Sequence, residues 1–321
     1  MSDTFKMGSN RMNRIVKILI AIVVLVVIVL TGAGMYFYNY AVVPSTKDFL
    51  AGDTPGTDVE AKTPEEKWFK DKNNRSYWDL TSKDGLKLKA IYLPAEEKTD
   101  KNVIMAHGYM GSAETMASFA KMYHDWGYNV LVPDARGHGE SEGDYIGFGW
   151  PERKDYLQWI DKMVTENGKD SQITLYGISM GGATVMMTSG EKLPENVKAI
   201  VEDCGYSTVN GELAYQLKDM FNLPAFPLVP VTSLITKIRA GYFFGEASSV
   251  AQLKKNKVPM LFIHGDADKF VPFKMLNEVY NATDAPKEKF VVKGAEHAKA
   301  YTVDPEAYKK KVESFLTKYV D

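Results

Sequence analysis

Ser179 stands in Gly177-Ile178-Ser179-Met180-Gly181, directly after the apolar run QITLY. A serine hydroxyl becomes a nucleophile when a base takes its proton as the oxygen attacks a carbonyl carbon. A strand-to-helix turn sharp enough to present that hydroxyl holds the serine in strained backbone, so its neighbours two positions away must be tiny. The stretch after it, GATVMMTSG, reads as a helix, and a helix N-terminus favours negative charge developing beside the serine. The glycine pattern alone arises by chance in many long chains. The chemistry also needs a base and an acid.

The chain has five histidines. His107, in AHGYMGS, follows the run NVIMA and is placed to brace a loop that aims a backbone N–H at a carbonyl oxygen. His124 falls within a helical stretch and reads as a surface residue. His138 lies in the glycine-rich DARGHGESEG and reads as structural, and His264 ends the strand MLFIH and should be buried. His297, in KGAEHAKAY, follows the last strand EKFVV, at the carboxyl edge of the sheet where Ser179 must also lie. His297 is the expected base. Asp134, Asp203, Asp266 and Asp268 all follow strands, and the last three fall between the serine and the histidine. Asp268 is chosen because it lies further out along HGDADKFVP, within reach of the far imidazole nitrogen. Asp266 suits a turn-stabilising role, and Asp203 is the second choice for the acid.

The elements that must position these groups begin near Asn73. RSYWDLTS and LKLKAIYL both alternate and are separated by Lys83-Asp84-Gly85, a hairpin signal. Six apolar runs follow: NVIMAHG, YNVLVPD, QITLYG, VKAIVED, VPMLFIHG and EKFVVKG. Continuous apolar runs suit strands covered on both faces. Helical patterns lie between them: Tyr156, Leu157, Ile160, Met163 and Val164 share one face, and Asp304-Pro305 opens a helix carrying Tyr308, Val312, Phe315, Leu316 and Tyr319. The alternation is that of a doubly wound, mostly parallel α/β sheet with an antiparallel hairpin at its start. More than fifty residues separate VEDC from VPM. They read as a greasy cap over one end of the sheet, at about 205–250, in which Pro224, Pro227 and Pro230 forbid a regular helix.

Ahead of this domain, Ile18 to Tyr38 carry no charge, enough to cross a hydrocarbon layer of about 30 Å at ~1.5 Å per residue. Lys6, Arg11, Arg14 and Lys17 precede it, and the next basic residue is Lys47. That asymmetry puts the N-terminus in the cytoplasm and the rest outside. A cleaved signal peptide is the alternative, with Thr31-Gly32-Ala33 as a place to cut. The organisation expected is a cytoplasmic tail at 1–17, an anchor at 18–38, a linker at 39–72 and a domain at 73–321. In the linker, Thr63-Pro64-Glu65-Glu66 is a capping box.

Composition narrows the classes. The 321 residues are 45% hydrophobic and 25% charged, with a formal net charge of −2, which gives no reason to expect nucleic acid. The single cysteine, Cys204, excludes an intrachain disulfide and a multi-cysteine metal site, and is read as a core residue.

Taken in order, HGYMGS, DARGHGESEG, GISMGG, HGDADKFVP and GAEHAKAY resemble the α/β-hydrolase superfamily, nearest to membrane-tethered bacterial serine hydrolases of the BEM46-like and serine aminopeptidase-like kind. The resemblance runs from near Asn73 to the C-terminus. It implies an α/β-hydrolase fold with Ser179 as nucleophile, Asp268 as acid and His297 as base. It also implies oxyanion donors from the backbone N–H groups of Tyr109 and Met180. Such chemistry needs no metal or organic cofactor. The expected substrate is a small acyl ester, cleaved in carboxylesterase or lipase fashion, because the cap is apolar. A serine peptidase or aminopeptidase, the latter needing a carboxylate for the substrate's amino group that the sequence does not assign, and a silent surface binding module are the alternatives. The sequence sets no oligomeric state.

Overall fold

The computed structural model describes residues 2–45 and 63–321. Eight strands form one sheet: β1 (Ser76–Thr81), β2 (Lys87–Leu93), β3 (Lys101–Ala106), β4 (Asn129–Pro133), β5 (Gln172–Ile178), β6 (Val197–Asp203), β7 (Met260–Gly265) and β8 (Lys287–Val292). The helices are α1 (Ser2–Ala41), α2 (Pro64–Lys70), α3 (Ala117–Asp125), α4 (Glu152–Asn167), α5 (Met180–Ser189), α6 (Val209–Phe221), α7 (Ala225–Ala240), α8 (Ser249–Leu253), α9 (Lys274–Tyr280), α10 (Ala300–Val303) and α11 (Pro305–Leu316).

Spatial order in the sheet is β1-β2-β4-β3-β5-β6-β7-β8. The expected hairpin pairs β1 with β2 antiparallel, and β2 meets β4 antiparallel. The six apolar runs are β3 to β8, and their pairings are all parallel. Gly85 turns the hairpin at φ 94°, a conformation in which glycine carries no Cβ penalty. One face of the sheet packs on α2, α3 and α11 through Phe69, Phe119, Tyr123, Tyr308 and Phe315. The other packs on α4 and α9 through Tyr156, Trp159, Met163, Leu276 and Val279. Burial on both faces is what makes these strands read as unbroken apolar runs.

A third core holds the cap. The chain leaves the sheet through a bridge between Thr208 and Ser248, antiparallel, and α6 and α7 lie between these two residues. The three prolines do not exclude a helix here. Phe226 is extended (φ −92°, ψ 133°), so the regular helix begins at Pro227. Pro230 then meets no helical carbonyl four residues back, which removes the clash that stops proline deeper in a helix.

The N-terminal helix is longer than the uncharged stretch. α1 runs from Ser2 to Ala41, and Arg14–Ala41 has a mean hydropathy window of 3.1, long and apolar enough to cross a membrane. Its end belongs to the cap core. Tyr38 and Val42 are buried there, the Ile146 N–H donates to the Val42 carbonyl (2.8 Å), and the Tyr109 hydroxyl donates to the Ala41 carbonyl (2.8 Å). The stretch read as a linker is therefore packed at both ends, since Phe69 of α2 is fully buried against the sheet. Composition misled there because seven residues of helix hide one anchor side chain among charged neighbours. Residues 46–62 of that stretch lie outside the described residues. The capping box does form: the Thr63 side chain accepts from the Glu66 N–H and the Glu66 carboxylate from the Thr63 N–H.

Phe69→Ala should destabilise the domain by about 3 kcal/mol, the usual cost of emptying a buried phenyl site. Urea unfolding followed by far-UV circular dichroism would read this as a lower midpoint at unchanged slope. An unchanged midpoint would return α2 to the linker.

Candidate active site

Between β5 and α5 the backbone turns through Ser179 at φ 57° and ψ −119°. This is where the two glycines are required. A Cβ on Gly177 would stand 2.1 Å from the Gly181 carbonyl oxygen, and one on Gly181 would stand 1.9 Å from that of Ala106. The Ser179 N–H donates to the Asp203 carbonyl (2.8 Å), which ties the turn to β6. Strain at a non-glycine residue with positive φ persists only when its surroundings over-determine it, as they do here.

Three expected side chains meet. Ser179 Oγ lies 2.8 Å from His297 Nε2, and His297 Nδ1 lies 2.7 Å from Asp268 Oδ2. With the Nδ1–H donating to the Asp268 carboxylate, Nε2 is left to accept from the hydroxyl. Asp268 is wholly buried and held on both oxygens. Its Oδ1 accepts from the Phe270 and Val271 N–H groups at 2.9 Å each. Its Oδ2 also lies 3.2 Å from His264 Nε2, which in turn lies 3.0 Å from the Val271 carbonyl. A nitrogen between two acceptors must carry a proton: the His264 Nε2–H donates to the Val271 carbonyl, and its positive end lies beside Asp268 Oδ2. Burial would raise the Asp268 carboxyl, but the interactions with His264 and His297 outweigh it and hold it at about 2. The sequence reading had His264 buried and missed this contact. A histidine four residues before an acid at a strand end was the available signal.

The other acids are engaged elsewhere. Asp203 accepts from the Tyr308 hydroxyl (2.9 Å), and burial, against that bond, pushes it up to about 6. Asp266 accepts from the Gly294 N–H, the turn role expected of it. Asp134 accepts from the N–H groups of Ala113 and Glu140.

The loop after β3 is set by two neutral histidines. His107 Nε2 accepts from the Ala135 N–H (3.0 Å), so its Nδ1 donates to the Gly108 carbonyl (2.8 Å), and burial holds it at about 4. His138 Nε2 accepts from the Met110 N–H (3.3 Å), while burial and then His107 push it to about 3. Met110 is thus occupied. The N–H groups of Tyr109 and Met180 have no acceptor among the described residues, and both residues border the cleft that holds Ser179. His124 stays near the surface, with Nε2 2.9 Å from the Pro94 carbonyl.

That cleft is open on one side and, with the solvent at its mouth included, takes in about 860 Å³. Its walls include Phe148, Leu217, Val229 and Phe270, and it holds one carboxyl, Glu212. Glu212 Oε1 accepts from Gln216 (2.8 Å), and Oε2 is buried with no partner. Burial pushes this carboxyl up to about 8, against the Gln216 bond. The helical cap sequence gave no reason to single it out. Cys204 is buried beneath the site, its sulfur, an Asp268 oxygen and a His297 nitrogen lying within 4.8 Å of one another. Burial drives its thiol pKa well up, and the other two groups already bond each other, so the trio is poorly suited to hold a metal.

The serine aminopeptidase (S33) family model matches residues 97–204. The uncharacterised protein YqkD of Bacillus subtilis is 29% identical over 225 residues, 70% of this chain and 74% of that one. A thermostable monoacylglycerol lipase of a Bacillus species is 25% identical over 201 residues, 53% of this chain and 71% of its own. Among solved structures, the Pyrococcus furiosus esterase Pf2001 superposes with a TM-score of 0.65 at 24% identity, over 83% of this chain and 97% of that one.

Glu212 gives this region a pH dependence. Its folded pKa lies above the ordinary carboxyl value, so folding takes up a proton, and stability falls as pH rises from about 4.5 to about 8. Glu212→Gln should remove that fall, so the variant should gain roughly 3 kcal/mol on the wild type between pH 5 and pH 8. Thermal unfolding at the two pH values would read it, and parallel curves for the two proteins would refute it.

Proposed function

Since the chain has the α/β-hydrolase fold, we propose that it is a membrane-anchored serine hydrolase that cleaves acyl esters. The observation that carries this reading is the continuous hydrogen-bonded line from Ser179 through His297 to Asp268 at the floor of an apolar cleft. The Ser179 oxygen attacks the ester carbonyl carbon and His297 Nε2 takes its proton. The anion of Asp268 stabilises the imidazolium, and its charge is supported by the His264 ring edge beside it. The carbonyl oxygen becomes an oxyanion received by the N–H groups of Tyr109 and Met180, each worth about 10² to 10³ in rate. Collapse expels the alcohol, which takes the proton from His297. Water then attacks the acyl-enzyme with His297 as base, releasing the acid and restoring Ser179.

Relatives support the ester class: one is a monoacylglycerol lipase, and the superposed structure is an esterase. Glu212 favours a second reading, a peptidase, because its unpaired oxygen in the cleft is a place for a substrate amino group. The ester reading is preferred, since burial raises that carboxyl to about 8 and so leaves it mostly neutral near pH 7. Anchoring through α1 with the N-terminus in the cytoplasm puts the domain outside the cell, as the basic residues before the span indicate.

Labelling of intact cells with a membrane-impermeant fluorophosphonate should mark the wild type and not Ser179→Ala. Labelling only after lysis would reverse the topology, and silence from folded protein would leave a binding module. In purified protein, Asp268→Asn should lower kcat by about 10⁴, whereas Asp203→Asn should change it little; the opposite order would move the acid to Asp203. Aminoacyl amides cleaved faster than p-nitrophenyl esters would favour the peptidase.

A further inference from the structure

Two elements outside the catalytic groups complete the cleft. Phe37, Tyr40 and Ala41 come from the last turns of α1, and Met220, Phe221 and Leu228 come from the cap. The Phe221 ring joins them, packing edge-on against Phe37 (centroids 5.3 Å) and against Tyr40 (5.2 Å). α7 runs beside α1 in the same direction. Gly34 faces Val231 and Ile235, while further along both helices the Arg239 guanidinium lies 5.0 Å from the Tyr38 ring. The start of α7 and the turn before it therefore point back toward the apolar half of α1.

That turn is apolar and unburied. From Met220 to Thr236 the sequence has no Asp, Glu, Lys or Arg. Phe226 is 78% exposed and Leu234 52%, with Met220 and Leu223 also in the open. A contiguous exposed apolar patch marks a surface that something covers. Its neighbour supplies the occupant: the large apolar side chains of α1 from Ile15 to Val29 are exposed all around the helix, as a bilayer requires, and Tyr36 lies at their end, where tyrosines favour the membrane interface.

We propose that the tip of the cap, around Leu223 and Phe226, sits in the headgroup–acyl boundary of the membrane that α1 spans, and that the cleft opens there to receive an acyl ester dissolved in the bilayer. The inference rests on Ser179 as nucleophile and α1 as an uncleaved span. It makes α1 a wall of the substrate site as well as an anchor.

The test uses the full chain reconstituted in phosphatidylcholine vesicles, with p-nitrophenyl acetate in the water and monooleoylglycerol in the bilayer. Leu223 and Phe226 do not line the cleft. The double variant Leu223→Asp, Phe226→Asp should keep acetate hydrolysis within about twofold and lose about tenfold or more on the vesicle-borne ester. Equal retention on both substrates would overturn the proposal. Phe226→Trp, read against the wild-type tryptophans, should be quenched by brominated phosphatidylcholine. No added quenching would overturn it even if the double variant fails to fold, and absent quenching with concentration-dependent self-association would assign the tip to a second copy of the chain. Wild type inactive on acetate would sink the hydrolase reading itself, which is a different outcome.

Discussion

A side chain at Gly181 would have its first carbon 1.9 Å from the Ala106 carbonyl oxygen, and one at Gly177 would meet Gly181 itself. This close approach locks the end of β3, the end of β5 and the start of α5 into one junction. Ser179 takes its positive φ because the strand before it and the helix after it leave no other path. Everything else in the site is arranged around that fixed hydroxyl. The loop after β3 passes over it so closely that a Cβ on Gly108 would stand 3.5 Å from that of Ser179, and β6 accepts its N–H. Strain of this kind is tolerated where surrounding elements are rigid, and here they are the buried centre of an eight-stranded sheet.

A second constraint is charge. Asp268 must stay ionised while wholly excluded from water, and burial alone would neutralise it. Three hydrogen bonds, two from backbone N–H groups in its own loop and one from His297, together with the His264 ring edge 3.2 Å away, answer that penalty. The other buried acids show what happens without such a set. Asp203, with one tyrosine hydroxyl as its donor among side chains, and Glu212, with one amide, both lie well above the ordinary carboxyl range.

The cap and α1 share a core of their own. Its residues, Tyr38, Val42, Leu217, Val229 and Ile235 among them, give the N-terminal helix a fixed position against the domain. A helix attached by a free linker would leave the cleft without part of its wall. Packing α1 into the cap ties the cleft to the helix that is apolar enough to cross a membrane.

Much of this was legible in the residues. Alternation and apolar runs determined the hairpin and the parallel strands, because burial on one face or two leaves different periods in the sequence. The glycines around Ser179, and the place of His297 and Asp268 after their strands, marked the site through local backbone demands. Other features depended on where distant segments meet. Pro227 and Pro230 were read as helix breakers, and an extended Phe226 turned them into a helix start. His264 lies against the Asp268 carboxylate, and one oxygen of Glu212 stands without a partner in the cleft, because of how the folded chain packs around them. Phe69 and Tyr38 looked like parts of a linker and an anchor, yet both are core residues. Sequence by itself determined the strands, the turn and the candidate reacting groups, since each is a short-range pattern. Tertiary structure alone decided which acid reaches His297 and which residues wall the cleft, because hydrogen bonding and desolvation depend on contacts between separate segments, 29 residues apart for Asp268 and His297 and 118 for His297 and Ser179.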